Sequence, residues 1–292
     1  MPEPNLSDKL REYLLDHQGE EVTLDLVRKE LRINPESSNF DSIRGIMRNL
    51  IDQKIIRRVG QRAGFFKVVR QVQPIKVFER EIRAPIQVLF PRDFNTMMEM
   101  DFAQYITFRE GDLILISGRS NFGKTCLCLN IAGENINKHP VLMGNEYTTI
   151  DQEPSPRLRD RLEKMSWVEW VNGTGEEKFT LLPVYSDYVE HIVKDGFNII
   201  DWVNLPGEFY LISPLMEGLK RATGKGITCI SIQKSASSEM GRGGAFTQDF
   251  ADLELLLDAY GERETLLTIG KVKESTRQLR GRKFAFGILE GV

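Results

Sequence analysis

Cysteine and histidine are scarce in this sequence, with three of each among 292 residues. Cys126, Cys128 and Cys229 lie in apolar stretches, no CxxC pair occurs, and no pair of histidines lies near them. Structural zinc sites and disulfide frameworks need such spacings. The sequence therefore argues against both, and we expect three buried free thiols.

Long hydrophobic runs are also missing. The chain has no stretch of about 18 consecutive apolar residues, and residues 1–5 lead directly into an amphipathic stretch, not into a charged-then-apolar leader. Hydrophobic residues make up 41% and charged residues 28%, as in ordinary globular proteins. We expect a cytoplasmic protein of about two domains with no membrane partner.

Positive charge is in slight deficit overall, since the formal net charge is −3, but it is concentrated in one region. Residues 40–83 contain eleven lysines and arginines and only four acids. A local basic excess on an acidic chain is typical of a nucleic-acid-binding surface, although a run of charge is also typical of an ordinary solvated face.

The same N-terminal region shows a pattern of three helices followed by two strands. Helical spacing of apolar residues, with Ser7 and Thr23 as N-caps, predicts the helices, and two β-type runs around a glycine-containing turn predict the strands. The predicted elements cover 7–17, 23–31, 41–53, 55–59 and 65–69. This arrangement resembles a winged helix-turn-helix over residues 1–75, a module that binds double-stranded DNA or docks a protein.

Six of the basic residues in this region fall on the third helix or on the wing, which consists of the two strands and their turn. A recognition helix enters the major groove while wing residues reach phosphates, and each cation near the backbone adds affinity without reading sequence. The candidate DNA contacts are Arg44, Arg48, Arg57, Arg58, Arg62 and Lys67. Prolines punctuate the next stretch of the chain, so residues 76–103 are interpreted as a linker or irregular lead-in to a second domain at 104–292.

The second domain contains a phosphate-binding motif. An apolar run at 113–117 leads directly into Gly118-x-x-x-x-Gly123-Lys124-Thr125, and a helical pattern comes next, which is the context that makes a P-loop specific. Backbone N–H groups of such a loop face phosphates, Lys124 would reach the β- and γ-phosphates, and Thr125 would ligate Mg²⁺. The predicted ATP-binding residues are Gly118, Arg119, Ser120, Asn121, Phe122, Gly123, Lys124 and Thr125.

Three further apolar runs end in a polar residue, namely Glu146, Asp201 and Gln233. Ligands bind outside the carboxyl ends of parallel strands, so we expect these side chains to meet the P-loop. Asp201 fits the carboxylate that holds Mg²⁺ together with Thr125. Glu146 fits a base that activates water, on the strength of its position alone. Gln233 fits either a sensor of the γ-phosphate or an ordinary capping amide.

Taken together, these motifs resemble the RecA-like ATPase fold, and within it the DnaB-type hexameric replicative helicases and related phage and plasmid ATPases. The resemblance extends over residues 104–286. Its most specific blocks are 198–205, 230–234 and 241–252. It implies an α/β core with a mostly parallel central sheet, in which Glu146 is the catalytic base, Asp201 the Walker B carboxylate, and Gln233 a conformational link between nucleotide and DNA.

The resemblance also implies a DNA contact in the core domain. Residues 235–248 correspond to a loop that contacts single-stranded DNA in a central channel. Lys234 and Arg242 supply cations on a glycine-rich tether that suits a phosphate backbone. A segment of this composition also fits an unrelated surface excursion.

A further implication concerns a neighbouring subunit. The run 266–273 resembles the strand from which the family sends a Lys and an Arg into the neighbour's nucleotide, and Lys271 and Lys273 occupy those positions. Lysine provides a point charge where arginine provides a planar fork, so Arg277 is an alternative to Lys273. The first 75 residues also differ from the family's large N-terminal helical domain.

The sequence therefore predicts an ATP-hydrolysing, Mg²⁺-dependent motor that acts on DNA as a homo-oligomeric ring or filament, either a helicase or a translocase. A recombinase-like or helicase-loader ATPase, which remodels nucleoprotein complexes without unwinding, is a second hypothesis. A DNA-binding regulator that is switched by nucleotide is a third.

Overall fold

The chain divides into two compact units, Met1–Ile82 and Arg83–Val292. A computed structural model describes most residues of both units. The described ranges are 5–34, 36–60, 63–79, 81–149, 151–203, 212–234, 245–262 and 264–290. We refer to the two units as unit 1 and unit 2.

In its described residues, unit 1 consists of three helices and a three-stranded antiparallel sheet. The elements are α1 Leu6–Asp16, β1 Glu21–Thr23, α2 Leu24–Glu30, α3 Ser38–Asp52, β2 Ile56–Arg58 and β3 Phe65–Val68. The sheet order is β1–β3–β2. Apolar side chains from the helices and strands, such as Leu14, Val27, Met47 and Val68, are buried together in one core.

The predicted helices and strands of unit 1 are present, with two corrections. Asn5, not Ser7, caps α1, since its side chain accepts a hydrogen bond from Asp8 N at 3.0 Å. Asparagine and serine are similarly good N-caps, so residue type does not separate them. Strand β1 has no counterpart in the prediction, because three residues show too little alternation until pairing with β3 forms the strand. Thr23 caps α2 as expected.

Unit 2 is an α/β fold around one sheet that has eight strands in the described residues. Its elements are β4 Leu113–Gly118, α4 Lys124–Glu134, β5 Val141–Met143, α5 Pro156–Lys164, β6 Thr180–Leu182, α6 Tyr188–His191, β7 Phe197–Val203, α7 Ile212–Thr223, β8 Ile227–Gln233, α8 Ala245–Phe250, β9 Leu253–Tyr260, β10 Glu264–Val272 and β11 Lys283–Gly287. The strand order is β11–β10–β9–β4–β8–β7–β5–β6. The strands from β9 to β6 are parallel, and β10 and β11 are antiparallel. The predicted α/β fold with a mostly parallel sheet is confirmed.

Strand β4 explains why the sequence shows a continuous apolar run at this point. All of its residues are buried. Successive side chains of a strand point to opposite faces, so Ile114 and Ile116 pack into one apolar cluster and Leu113 and Leu115 into another. A strand that is covered on both faces has to be apolar at every position, as is usual in parallel sheets.

Part of the stretch predicted as a linker or irregular lead-in packs into unit 2. Phe90 and Phe102 are fully buried, with ring centroids 5.1 Å apart in an edge-on arrangement. Ile86 forms an isolated bridge with Phe108. The chain is irregular here, but its aromatic side chains belong to the core. None of the helices in the described ranges combines the length and the apolar character needed to cross a bilayer.

Candidate active site

The loop after β4 turns the chain sharply into α4. Asn121 and Gly123 have left-handed backbone conformations, with φ of 67° and 76°. The conformation of Gly123 favours glycine, and a Cβ there would lie 2.6 Å from Ile288 Cδ1, so that side chain would have to move. The loop ends at Lys124, the first residue of an eleven-residue helix. Unpaired N–H groups at such a helix N-terminus attract anions.

Lys124 lies against this loop. It is 9% exposed, and its Nζ donates a hydrogen bond to the backbone oxygen of Arg119 at 2.9 Å. Burial lowers the pKa of Lys124, and the carboxylates of Asp201 and Glu146 oppose that shift. The structure therefore places a cation within the loop and close to two acids.

Asp201 lies on β7, which continues two residues beyond the predicted strand end, to Val203. The side chain is fully buried. Its Oδ1 accepts a hydrogen bond from Ser231 Oγ at 2.5 Å, and its Oδ2 has no partner in the part of the chain that the structure describes. Burial raises the pKa of Asp201, while the hydroxyl groups of Ser231 and Thr125 and the charge of Lys124 oppose the shift. A buried polar atom without a partner is unfavourable unless a ligand, an ion or water meets it.

A glycine allows the end of β5 to approach Asp201. Gly144 has a φ of 128°, and a Cβ there would lie 2.1 Å from the backbone oxygen of Asp201. Two residues later, Glu146 N donates a long hydrogen bond of 3.5 Å to that same oxygen. The charge of Glu146 acts on both Lys124 and Asp201. Three predicted site residues, from α4, β7 and the turn after β5, are thus brought together.

Gln233 and Lys234 lie beside the first residue of the loop. Gln233 is the register partner of Gly118, and Lys234 N donates to the Gly118 oxygen at 2.9 Å. Lys234 is only 5% exposed, and its Nζ pairs with Asp258 Oδ2 at 2.7 Å. This placement argues against the prediction that Lys234 presents its charge to DNA. The acid that binds it is distant in sequence, so local composition does not reveal the pair.

The residues around Asp201 fit a Mg²⁺ ion. In phosphate-binding enzymes Mg²⁺ is held by one or two carboxylates together with substrate phosphates. Asp201 offers a buried oxygen without a partner, and the Thr125 hydroxyl lies beside it. The described residues contain no group of three or more His, Cys, Asp or Glu side chains that could hold a metal on their own. The three cysteines are buried and free, as expected.

Lys271 and Lys273 lie at the edge of the sheet where β4 begins, opposite the edge that carries the P-loop. Strand β10 runs antiparallel to β9, so its final residues pair with the beginning of β9, whereas Gly118 pairs with Leu257 further along. Because β9 is parallel to β4, the two lysines lie at the edge where β4 begins and not where it enters the loop. Arg277, the alternative to Lys273, is positioned 4.1 Å above a tyrosine ring.

Both lysine amines have partners within the chain. Lys271 Nζ donates to the backbone oxygens of Gln248 and Asp249, at 2.6 and 3.1 Å, and burial lowers the pKa of Lys271. Lys273 Nζ pairs with Asp252 at 2.8 Å, and this hydrogen bond raises the pKa of Lys273. Neither amine is directed at the P-loop of its own chain.

The predicted DNA contacts of unit 1 are mainly exposed cations. Arg44 and Arg48 lie one turn apart on α3, and both are exposed. Arg57 and Lys67 are register partners on β2 and β3, so they share one face of the sheet, while Arg58 belongs to the opposite face. Such cations can reach phosphates, but their positions identify no base contact. Two more predicted contacts and most of the predicted DNA loop lie outside the described residues: Arg62, Arg242 and 235–244.

Sequence reasoning did not identify three residues that shape this site. Ser231 is a polar residue inside an apolar strand, and that interruption is its only signal. Gly144 is required by its approach to Asp201, which becomes visible only when β5 and β7 are placed side by side. Asp258 binds Lys234 from β9, where it follows three consecutive leucines.

Comparison with known proteins gives only limited similarity. No protein-family model matches the chain, and no curated protein matches its sequence. Among solved structures, the crystal structure of the RadB recombinase is similar, with 16% sequence identity and a TM-score of 0.45; the match covers 63% of this chain and 90% of that chain. The function therefore has to be inferred from the residues of the site.

Proposed function

We propose that this protein is a Mg²⁺-dependent ATPase of the RecA-like class. The observation that carries this proposal is the buried Asp201 carboxylate, which has an oxygen without a partner among the described residues and lies close to Thr125, Lys124 and Glu146. An isolated buried acid is unfavourable unless it is compensated, and a cation that arrives with phosphates would compensate it.

Each residue of the site has a distinct role in this proposal. Loop N–H groups at the start of α4 bind the phosphates, and the Lys124 ammonium neutralises charge that develops on the transferred phosphoryl group. Thr125 and Asp201 hold Mg²⁺, which supplies further charge neutralisation at the phosphate oxygens. Glu146 orients the attacking water and accepts its proton. Gln233, next to the start of the loop, senses the γ-phosphate.

Phosphate release from ATP tests the site. Wild type should turn over ATP when Mg²⁺ is present, and both chelation and Lys124→Ala should reduce turnover to background, because each removes positive charge from the phosphates. Lys225→Ala is a matched control, since Lys225 is exposed and lies between α7 and β8. Turnover that survives Lys124→Ala would contradict the assignment of the loop.

We further propose that the ATPase acts on DNA as a homo-oligomer, as a helicase or translocase in ring or filament form. Lys271 and Lys273 lie away from the loop of their own chain, and a role at a neighbour's nucleotide would require their amines to exchange the partners they have within the chain. Light scattering with ATP and single-stranded DNA tests for the oligomer. Strand displacement on forked DNA separates a helicase from a recombinase-like or loader ATPase, since these share every contact described above.

We propose unit 1 as a winged helix-turn-helix that binds double-stranded DNA through Arg44 and Arg48. Arg44→Ala and Arg48→Ala should each weaken binding for all sequences and lower the slope of log affinity against log salt by about one. Lys9→Ala, which removes an exposed lysine from α1, is the control. Unchanged salt dependence in both arginine variants would favour a protein-docking module instead.

A further inference from the structure

One face of β9 carries two acids, Glu254 and Asp258, which are four residues apart. Leu253, Leu255 and Leu257 belong to the large apolar cluster of unit 2. Side chains alternate along a strand, so Glu254 and Asp258 lie on the face that points away from that cluster. Glu254 is fully buried, and the Asp258 side chain is one-third exposed, at 33%. Acids in such positions need partners, and both have one.

The two acids bind the residues that border the stretch 235–244. Lys234, immediately before it, pairs with Asp258 at 2.7 Å. Gln248, shortly after it, donates from Nε2 to Glu254 Oε2 at 2.6 Å. The acids are four residues apart on one strand, which corresponds to about 13 Å. Strand β9 therefore anchors both borders of this stretch.

Each border is also joined to a different edge of the sheet. At the P-loop edge, Lys234 N donates to the Gly118 oxygen at 2.9 Å. At the opposite edge, Lys271 Nζ donates to the Gln248 oxygen at 2.6 Å. The first residue of the P-loop and the Lys271 amine are thus connected to the same two acids through short polar contacts.

Strand β10 is shaped around one of these acids. Its pairing with β9 is irregular between Ile269 and Lys271, and a Cβ on the intervening Gly270 would lie 2.4 Å from Glu254 Oε2. The other oxygen of Glu254 has no partner among the described residues. A side chain at position 270 would therefore collide with the Glu254 carboxylate, and glycine leaves the space that this carboxylate occupies.

We propose that Asp258 and Glu254 are positioning residues that couple the P-loop to Lys271 at the opposite edge of the sheet. The inference rests on the proposed nucleotide site. A change at Gly118 on nucleotide binding shifts Lys234 against Asp258, and β9 passes the shift to Glu254, Gln248 and the amine of Lys271. Chains of hydrogen bonds and ion pairs between packed strands can carry such coupling.

Hydrogen exchange in the full chain tests this coupling. The probe is a non-hydrolysable ATP analogue with Mg²⁺, and the readout is exchange of the backbone amides at 247–252. In wild type the analogue should change their exchange rate by at least about threefold, because nucleotide binding alters local opening there. In Asp258→Asn and in Glu254→Gln most of that response should be lost, while analogue affinity stays within about twofold of wild type, because neither residue belongs to the phosphate site.

Two controls separate coupling from loss of structure. Asp258→Glu keeps the carboxylate and should restore the response, and Glu262→Gln, an exposed change in the turn that follows the same strand, should leave it intact. Thermal unfolding identifies any variant that is not folded. Binding of the analogue without an exchange response in wild type, or with equal responses in all variants, would overturn the coupling and leave the nucleotide site standing. Failure of wild type to bind the analogue would overturn the proposed function itself.

Discussion

The two edges of the parallel sheet in unit 2 use charge in opposite ways. At the edge where β4 ends, the buried Asp201 has an oxygen without a partner among the described residues, and Lys124 folds back onto its own loop. At the edge where β4 begins, Asp252 accepts hydrogen bonds from a backbone N–H, from Lys220 and from Lys273. Unmet polar groups suit an edge that binds a ligand, whereas satisfied ones suit an edge that holds the fold together.

The satisfied edge nevertheless contains a pocket. It has a volume of about 260 Å³ and is lined by Asp112, Lys220, Asp252 and Lys273 among others. Burial raises the pKa of Asp112 to about 6, and the like charge of Asp252 adds to this shift. The pocket therefore collects charges that pair with, or repel, one another. Concave shape alone does not locate the chemistry of this domain, because the Asp201 carboxylate, which lies close to Thr125 and Lys124, is at the other edge.

Glu146→Gln should produce the largest effect. Removal of a general base lowers turnover by about 10²- to 10⁴-fold, while ATP affinity should remain close to wild type because the phosphate-binding loop is unchanged. Single-turnover hydrolysis together with nucleotide binding measures both. The control is Glu153→Gln, which changes an exposed glutamate in the same connection between β5 and α5. Equal losses of turnover in both variants would mean that the effect of Glu146→Gln does not come from its position beside Lys124 and Asp201.

Asp252→Asn should destabilise the fold without removing nucleotide binding. Asp252 is 4% exposed and pairs with two lysines, whose side chains are 32% and 63% exposed. Breaking a fully buried pair costs about 3–5 kcal/mol, and partial hydration of the lysines should reduce this to about 2–3 kcal/mol. Urea unfolding measures the loss, with Asp249→Asn as an exposed control. A variant as stable as wild type would show that this edge does not hold the fold.

Much of the site could be predicted from local sequence because buried parallel strands constrain it. The apolar run 113–117 is covered on both faces, so it has to be a central strand, and the glycines after it require a tight turn into a helix. Parallel strands end at a common edge. The approach of Glu146 and Asp201 to Lys124 could therefore be predicted before any contact was known.

The remaining features depend on partners that are distant in sequence. Lys234 is interpreted as a DNA contact from its glycine-rich surroundings, but Asp258 on β9 removes its charge from the surface. The distance from Lys271 to its own P-loop depends on the direction of β10, which local patterns do not reveal. Arg44 is a different case, because its exposure could be predicted but its ligand could not. Its exposure could be predicted from helical spacing, but nothing in its surroundings identifies a ligand.

The smallest effect, and the sharpest test of the satisfied edge, should come from Asp112→Asn. The pKa of Asp112 is raised from 3.8 to about 6 because the side chain is buried, although Arg109 N donates a hydrogen bond to it. The folded state therefore retains a proton that the unfolded state loses between about pH 4 and pH 6, so this group makes wild type less stable as pH rises through that window.

Asp112→Asn removes the charge and keeps an oxygen that can accept the Arg109 hydrogen bond. The variant should match wild type near pH 4 and should be more stable by about 1–3 kcal/mol near pH 7, where wild type has to bury the charge. Urea unfolding at both pH values measures the difference, and Asp151→Asn provides an exposed control. A gain that does not depend on pH would mean that packing, and not ionisation, limits this edge. A loss near pH 7 would mean that Lys220 and Lys273 stabilise the Asp112 carboxylate more than burial disfavours it, and the satisfied edge would then depend on both of its acids.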